Sequence, residues 1–523
     1  MKQPEILILG AGPVGLMLAC QLQSRGVPFR LVEARISREY WVKALGVSPR
    51  TLEIFDQMGI LDEALNRGLF FSAVNTLVEG AMQARVEIDP LALPYGAMAL
   101  GQYDTETILE DELRRCGGVV EWQTRAVRIE AHQDCVEVEL ERPSDSEVVF
   151  CHWLVGCDGA HSLARKSAGI SFDGDRFEQH FLLGDVEIGW EHPHSEVWKL
   201  IQLSPEGELR NVVAVVPIPG SPRRYRLSLA VPPESQGQTE PLELLRACAA
   251  PSLPPGTPIG NLRWSSFYRI SHRLASRYRQ GRVLLAGDAA HLHPPIGGLG
   301  MNTGLQDAYN LGWKLAAVAQ GRAPESLLDS YHEERHPVGA QVVALTSGRM
   351  EDFFKGKPRD ENAEERANTQ LGVEYCQGPL SFGQLPPGDR GALPGQRVDA
   401  IGGLERRFVR RRGRLIELLR RGEFHLFGYG GSWSQLRHLA AFLRERLPFS
   451  LRVWAVGEPD GPEQEDLNFV QDAEGEAAVA WGPGPGALLV RPDGHVAWRG
   501  RPLPDESLEQ LLERLVPGVT PRY

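Results

Sequence analysis

A short apolar run, Ile6 to Leu9, leads directly into Gly10-Ala11-Gly12-Pro13-Val14-Gly15. Each glycine answers a separate demand of a strand–turn–helix junction. Gly10 permits the tight turn, Gly12 lets the backbone close on a pyrophosphate, and Gly15 lets the helix pack near the strand. A helical stretch, Leu16 to Arg25, follows and ends at Gly26, a C-cap residue. A second strand, Phe29 to Val32, ends in Glu33-Ala34, with Glu33 18 residues beyond Gly15 and placed to accept hydrogen bonds from a ribose. The unit predicts an α/β, Rossmann-like dinucleotide site with phosphates at a helix N-terminus, where free N–H groups favour anions. By itself it does not separate FAD from NAD.

Two later segments carry the same style of sequence. Cys157-Asp158-Gly159-Ala-His-Ser162-Leu-Ala-Arg165 follows the strand-like run Val149 to Val155. Gly287-Asp288-Ala-Ala-His291 follows a buried strand, Val283 to Ala286, and continues through Pro294-Pro295-Ile-Gly297-Gly298-Leu-Gly300-Met301-Asn302. Asp288 is placed to reach a chain of sugar-alcohol hydroxyls. The prolines stiffen the loop, and Gly297, Gly298 and Gly300 keep side chains away so that a planar ring can lie against backbone. Met301 and Asn302 open a helix predicted over Thr303 to Gln320, whose free N–H groups face negative charge. This third segment separates FAD from NAD.

The rest of the chain bounds the answer. At 523 residues it predicts two to four domains. A formal net charge of −12 disfavours a nucleic-acid partner. Seven cysteines without Cys-x-x-Cys fit reduced thiols, and no run approaches the ~18–20 apolar residues of a membrane span, so the chain reads as soluble and cytoplasmic. Helices are predicted over Ser48 to Met58, with Ser48 as N-cap, and over Thr105 to Arg115; Val119 to Glu141 alternates like strands. Residues 171–270 read as a β-rich insert with one helix near Leu242 to Cys248. Lys355 to Glu365 reads as a linker, and Arg406 to Arg421 as a solvated helical face.

With these residues in view, the chain resembles the class A flavin monooxygenases, the aromatic hydroxylases typified by p-hydroxybenzoate hydroxylase. In pattern it is similar to the phenol, hydroxyphenylpropionate and aromatic-polyketide hydroxylases. Asp307-Ala-x-Asn310-Leu-x-Trp313-Lys314 extends the resemblance. The resemblance implies FAD, with NADPH or NADH as transient reductant. The cofactor-binding positions it implies are Gly10, Gly12, Pro13, Gly15, Glu33, Ala34, Lys43, Gln102, Asp158, Gly287, Asp288, Pro295, Gly298, Gly300, Met301 and Asn302. It names no catalytic side chain beyond the cradling loop Pro295, Gly297, Gly298 and Gly300. Where the family has Arg-Ala this chain has Lys43-Ala44, which keeps the charge and loses the bidentate fork, with Arg50 as an alternative contact. His291 reads as structural, and His291-x-His293 lacks further ligand spacing, so no metal is expected.

The implied organisation is an FAD-binding domain (1–170 and 271–354), an interleaved β-rich substrate domain (171–270, joined by part of 70–100) and a thioredoxin-like C-terminal domain (386–523). The last domain's implied roles are packing and oligomerisation, leaving a homodimer open. The implied reaction is hydroxylation of a phenolic or polycyclic aromatic substrate by dioxygen through a flavin C4a-hydroperoxide. Epoxidation, Baeyer–Villiger oxidation and a non-catalytic flavoprotein are the alternatives. The substrate pocket is expected between the β insert and the ring; Trp190, Trp198, Phe181 and Tyr225 are lining candidates that read equally as core.

Overall fold

The computed structural model describes residues 4–40, 43–88, 95–207, 209–354, 361–406, 412–420, 422–431, 433–458 and 467–516. The N-terminal part is organised by a five-stranded sheet in the order Arg279–Gln280, Val283–Leu285, Trp153–Gly156, Ile6–Leu9, Phe29–Val32. The last four run parallel, in register from Ile6 opposite both Trp153 and Phe29; Arg279–Gln280 is antiparallel. Ile6–Leu9 and Trp153–Gly156 are buried at every residue, as strands covered on both faces must be.

The helix Pro13–Gln23 and the long helix Leu299–Ala319 cover this sheet and pack closely on each other. A Cβ at Gly312 would lie 2.4 Å from Gln21 Cβ, so glycine sets their separation. The long helix begins at Leu299, four residues before the predicted Thr303. Gly297 and Gly298 turn the chain at φ +81° and +66°, after which Leu-Gly-Met-Asn continues as helix despite the weak propensity of Gly300, so Met301 and Asn302 belong to its first turn. The helix Pro49–Met58 forms as predicted: Ser48 Oγ accepts from Thr51 N, and Gly59 closes it in the left-handed region.

A second sheet of eight strands runs His291–Leu292, Ile259–Ala275, Phe172–Ile188, Arg224–Val231, Leu209–Pro217, Glu196–Leu203, Ala73–Val78, Ala81–Glu87. Every pairing is antiparallel except Glu196–Leu203 with Ala73–Val78. One face is closed by the helix Pro241–Ala249, whose Leu244 and Leu245 join Leu182, Leu227 and Leu229 in a separate core. The segment Ala73–Glu87 is thus part of this sheet although it lies far upstream in sequence.

In the C-terminal part, Phe424–Tyr429 lies parallel to Leu451–Val456 across the helix Trp433–Arg446. The hairpin Gly486–Val490 and Val496–Gly500 returns antiparallel beside the first strand, and the helix Glu506–Leu515 closes the unit. That is a thioredoxin-like arrangement. Of the arginine run, residues 407–411 and 421 lie outside the described residues, and the only helix within the remainder is the short Leu415–Leu418. Arg420 is exposed, as a solvated run would be, and Arg414 is half-buried, yet both pair with the fully buried Asp56. Within the linker segment, 355–360 lie outside the described residues and Glu361–Asn368 is helical.

Candidate active site

Adjacent parallel strands release their chains at the same edge of a sheet. Leu9, Gly156, Leu285 and Val32 end four neighbouring strands, so the turns after them emerge side by side about 4.8 Å apart. These are the three glycine-bearing segments and Glu33. Backbone bonds stitch them together: Gly10 N to Val32 O, Cys157 N to Leu9 O, and Ala286 N to Gly156 O, all 2.9–3.0 Å. Residues more than 270 positions apart in sequence become one crevice for this reason alone.

The first turn is built from exclusion. Gly10 has φ +95°, and a Cβ there would lie 2.5 Å from Cys157 O. A Cβ at Gly15 would lie 1.9 Å from Gly10 O. Gly12, by contrast, has nothing within 4 Å of its missing side chain, leaving open space before the N-terminus of Pro13–Gln23. Val14 ties this turn to the third segment: its Cγ2 is 2.8 Å from a Cβ built on Gly287 and 2.7 Å from one built on Gly304.

Glu33 is already engaged by protein. Its carboxylate accepts from Ala11 N at 2.8 Å and Arg35 N at 3.0 Å and pairs with the Arg35 guanidinium at 3.2 Å. Burial pushes its pKa up, but Arg35 and the two amides overcome that and hold it below the usual range. Ala34 beside it is exposed. Asp158 Oδ2 caps the helix Leu163–Ser167 through Leu163 N (2.7 Å) and Ala164 N (3.2 Å), leaving Oδ1 buried with no hydrogen-bond partner. Arg165 is buried, donating to the Ala289 and Ala160 carbonyls and stacking 3.9 Å from the Phe172 ring centroid. It clamps the second and third segments together.

Asp288 is exposed, yet the surrounding protein is dense enough to raise its carboxyl pKa against the charges of His291 and Lys43. Pro295, Gly297 and Gly298 are exposed, and Gly300 and Met301 are half-buried. Gly298 begins the long helix without a side-chain cap, so the N–H groups of its first turn lack intrahelical partners. Lys43 is exposed and near enough for its charge to act on Asp288. Gln102, half-buried, holds the adjacent segment: its N–H donates to Ala44 O at 2.9 Å, and its side chain spans Ala44 N and Glu106.

Asn302 is 2% exposed and fully committed within the protein. Its amide nitrogen donates to Gly46 O (3.0 Å) and Gly298 O (2.8 Å), while its oxygen accepts from Ser48 N and Thr51 Oγ1. It shapes the cradle, and only its backbone faces the cleft's helix end. His291 donates to Asp307, which also takes Arg335 at 2.8 Å and Gly287 N; burial opposes the Asp307 charge, but Arg335 and His291 hold its pKa low. His291 is therefore structural. Arg50 is not a pyrophosphate contact: it is buried, paired with Glu53 at 2.9 Å and donating to Asp493 O at 2.7 Å.

Two features of the molecule lie beyond what its sequence reveals. Along the long helix, Asn310, Trp313 and Lys314 sit three and four residues apart and meet Glu334, Arg491 and Asp493 in a buried charge network. The helix motif is visible in the sequence, but its partner, the Arg491-Pro492-Asp493 turn, lies in another domain. Trp190, Trp198 and Tyr225 pack on one another and on the helix-covered core, away from the cleft; Phe181 alone of the four lining candidates reaches the cleft side, beside Ile270 and Met350. The one cluster of metal-ligand type among the described residues, Glu130, His132 and Glu137, is surface-lying and remote in the fold.

Residues 3–346 match the family described as FAD binding domain, and residues 392–517 match the aromatic-ring hydroxylase C-terminal family. The chain is 32% identical to the 6-methylpretetramide 4-monooxygenase of Streptomyces rimosus, covering 98% of this chain and 93% of that protein. It is 37% identical to the dialkyldecalin synthase of Streptomyces rugosporus, over 97% and 98%. Its structure superimposes on the ternary complex of aklavinone-11 hydroxylase with FAD and aklavinone at a TM-score of 0.81, with 27% identity over 98% and 99% of the two chains. No helix among the described residues is long and apolar enough to cross a membrane. A crevice at the carboxyl ends of a parallel sheet, an amide-lined helix end and this continuous similarity agree, and the chain belongs to the FAD-dependent aromatic-ring monooxygenases.

Proposed function

We propose that this chain uses NAD(P)H and dioxygen to hydroxylate a polycyclic aromatic substrate, with FAD held across the strand-end crevice. The observation that carries the reading is the shared strand-end edge that brings together the open space at Gly12, the exposed carboxyl of Asp288 and, through the long helix packed on Pro13–Gln23, the uncapped helix end at Gly298. Those features fit FAD. The amides at Gly12 to Gly15 would meet the pyrophosphate, Glu33-Ala34 the adenosine ribose, and Asp288 the ribityl hydroxyls. Lys43 and Gln102 would border the ring. Asp158, with its partnerless Oδ1, has one acceptor left for the cofactor. The backbone from Pro295 to Asn302 would cradle the ring, with the helix N-terminus against its electron-rich edge.

When bound, FAD supplies the two-electron carrier and the oxygen activation. The protein's residues bind, orient and exclude water. Positive φ at Gly297 and Gly298 lets the loop lie flat against a planar group, and Asn302 fixes it by bonding Gly298 O and Gly46 O together. A cytosolic location accords with seven free cysteines, and a homodimer is part of the proposal.

The test is direct. Purified protein is yellow, and phenols, hydroxybenzoates and polycyclic quinones are screened for stimulated NAD(P)H oxidation, with products weighed for one added oxygen atom. Colourless protein that FAD cannot reconstitute rules the reading out. The similarity to a protein named as a dialkyldecalin synthase supports a second reading, ring construction without oxygen gain. A product isomeric with its substrate, formed without consumption of NAD(P)H or dioxygen, would establish that reading instead.

A further inference from the structure

The face of the eight-stranded sheet not covered by Pro241–Ala249 presents three successive rows, because alternate residues of a strand share a face. Phe181 stands opposite Ala230 and Tyr268, Leu183 opposite Ser228 and Ser266, and Asp185 opposite Arg226 and Trp264. Leu183, Ser228, Ser266 and Tyr268 are all half-buried, so this face is not packed shut.

Its two ends touch the two loops that border the proposed flavin ring. At one end Phe181 and Tyr268 pack with Ile296 of the Pro295–Gly298 loop and with Met350. At the other, Arg226 holds Asp185 through paired bonds of 2.8 and 3.0 Å and reaches the Lys43 carbonyl at 3.4 Å. The middle row sets two serines beside Leu183. Tyr268 leans on Phe181, ring centroids 5.5 Å apart, and Ser228 stands one row away on the strand beyond that of Phe181. The Tyr268 and Ser228 hydroxyls therefore lie in adjacent rows of a mainly apolar wall, with the Arg226 guanidinium one row beyond Ser228.

We propose that Tyr268, supported by Ser228, hydrogen-bonds an oxygen on the aromatic substrate, a ring hydroxyl or quinone carbonyl, and so determines which ring carbon faces the flavin. The assignment rests on the hydroxylase reading and adds a specificity residue to it. Burial raises the Tyr268 pKa, with Ser228 and Arg226 opposing, so the phenol is protonated at neutral pH and available as a donor. Ser228 can accept from or donate to Tyr268 as the substrate oxygen demands. Arg226 is already paired with Asp185, so it biases the spot toward electron-rich oxygen without binding it.

The experiment uses FAD-loaded full-length protein, with 1-naphthol and naphthalene, which lacks the oxygen, as probes and dissociation constants read from flavin difference spectra. Wild type binds the naphthol about tenfold more tightly than the hydrocarbon, the worth of one hydrogen bond in a desolvated site. Tyr268→Phe abolishes that preference with flavin content unchanged, and Ser228→Ala reduces it. Equal binding of the two probes by wild type overturns the assignment, as does a preference that survives in Tyr268→Phe. If Tyr268→Phe fails to fold, an undiminished preference in Ser228→Ala overturns it. Failure of every aromatic to accelerate NAD(P)H oxidation in wild type counts against the hydroxylase reading alone, because the binding ratio is measured without turnover.

Discussion

The side-chain oxygen of Asn302 accepts a hydrogen bond from the Ser48 amide at 2.9 Å, across 254 positions of sequence. With its other bonds, to Thr51 Oγ1, Gly46 O and Gly298 O, it sews the first turn of the long helix to the segment following Lys43. Asn302→Ala would strand buried donors and acceptors and cost about 1–3 kcal/mol. Lower thermal stability and loss of FAD on gel filtration are expected together. A variant with full flavin content and unchanged melting would contradict this role.

Gly12 and Gly15 separate binding from folding. Gly15→Ala places a methyl 1.9 Å from Gly10 O and overpacks the turn, at about 1–3 kcal/mol or more. Gly12→Trp enters open space and should fold normally, yet lose FAD. Circular dichroism melts and flavin absorbance tell the two apart; Gly12→Trp protein that stays yellow would remove the pyrophosphate from this turn.

Asp288→Ala should weaken FAD binding roughly ten- to a hundredfold, the loss of a hydrogen bond to a charged group. Because the Asp288 charge is disfavoured where it stands, thermal stability of the apoprotein should hold or rise slightly. Calorimetric titration of apoprotein with FAD measures the first, and melting of apoprotein the second.

Glu334 joins two domains. It takes Lys314 at 2.7 Å from the long helix and Arg491 at 2.6 Å from the C-terminal hairpin, with all three side chains essentially fully buried. Burial raises its pKa, but Arg491 and Lys314 prevail and depress it to about 2. Glu334→Leu leaves the buried Lys314 without its carboxylate and Arg491 with Asp493 alone, and should destabilise by about 3–5 kcal/mol. Urea unfolding measures it, and a loss below about 1 kcal/mol would deny the network that role.

Acid should weaken the fold from near pH 6.5 downward. Burial, aided by the His291 charge, lowers the His293 pKa to about 4, and burial with Arg452 lowers His425 to about 3. Both rings refuse protons that the unfolded chain accepts at its ordinary 6.5, so stability falls as pH drops through 6.5 toward those values and is unaffected above it. The depressed Glu334 adds a further loss below about 4.5 as the unfolded carboxylate takes up its proton first. Melting temperatures between pH 7 and 5 should decline less steeply in His425→Phe; an identical slope would exclude that ring as a contributor.

The strand–turn–helix units are legible in the sequence because their causes are local. Gly10 and Gly15 sit where a Cβ collides within a few residues or with the neighbouring strand end, and Ser48 and Gly59 cap a helix by their own chemistry. The start of the long helix is harder to place, because glycines outside a helix and glycines in its first turn look alike in sequence. Arg414, Arg420 and Arg50 escape the sequence for another reason. A charged side chain near a helix is exposed and unpaired by default, and only the tertiary approach of Asp56 gives Arg414 and Arg420 a buried partner, as that of the Asp493 carbonyl helps to bury Arg50. The cleft face of the sheet is equally hidden, since alternation marks two faces of a strand without saying which one a helix will cover.

The long helix has its amide end in the cofactor cleft and Lys314 near its far end, clasped by Glu334. Deleting everything after residue 386 would take away Arg491 and Asp493 while leaving Lys314, Asn310 and Trp313 pointing at a vacated socket. The terminal domain is thus the counterweight of the very rod that frames the chemistry, and a truncated enzyme would feel its absence first as a loosened grip on flavin.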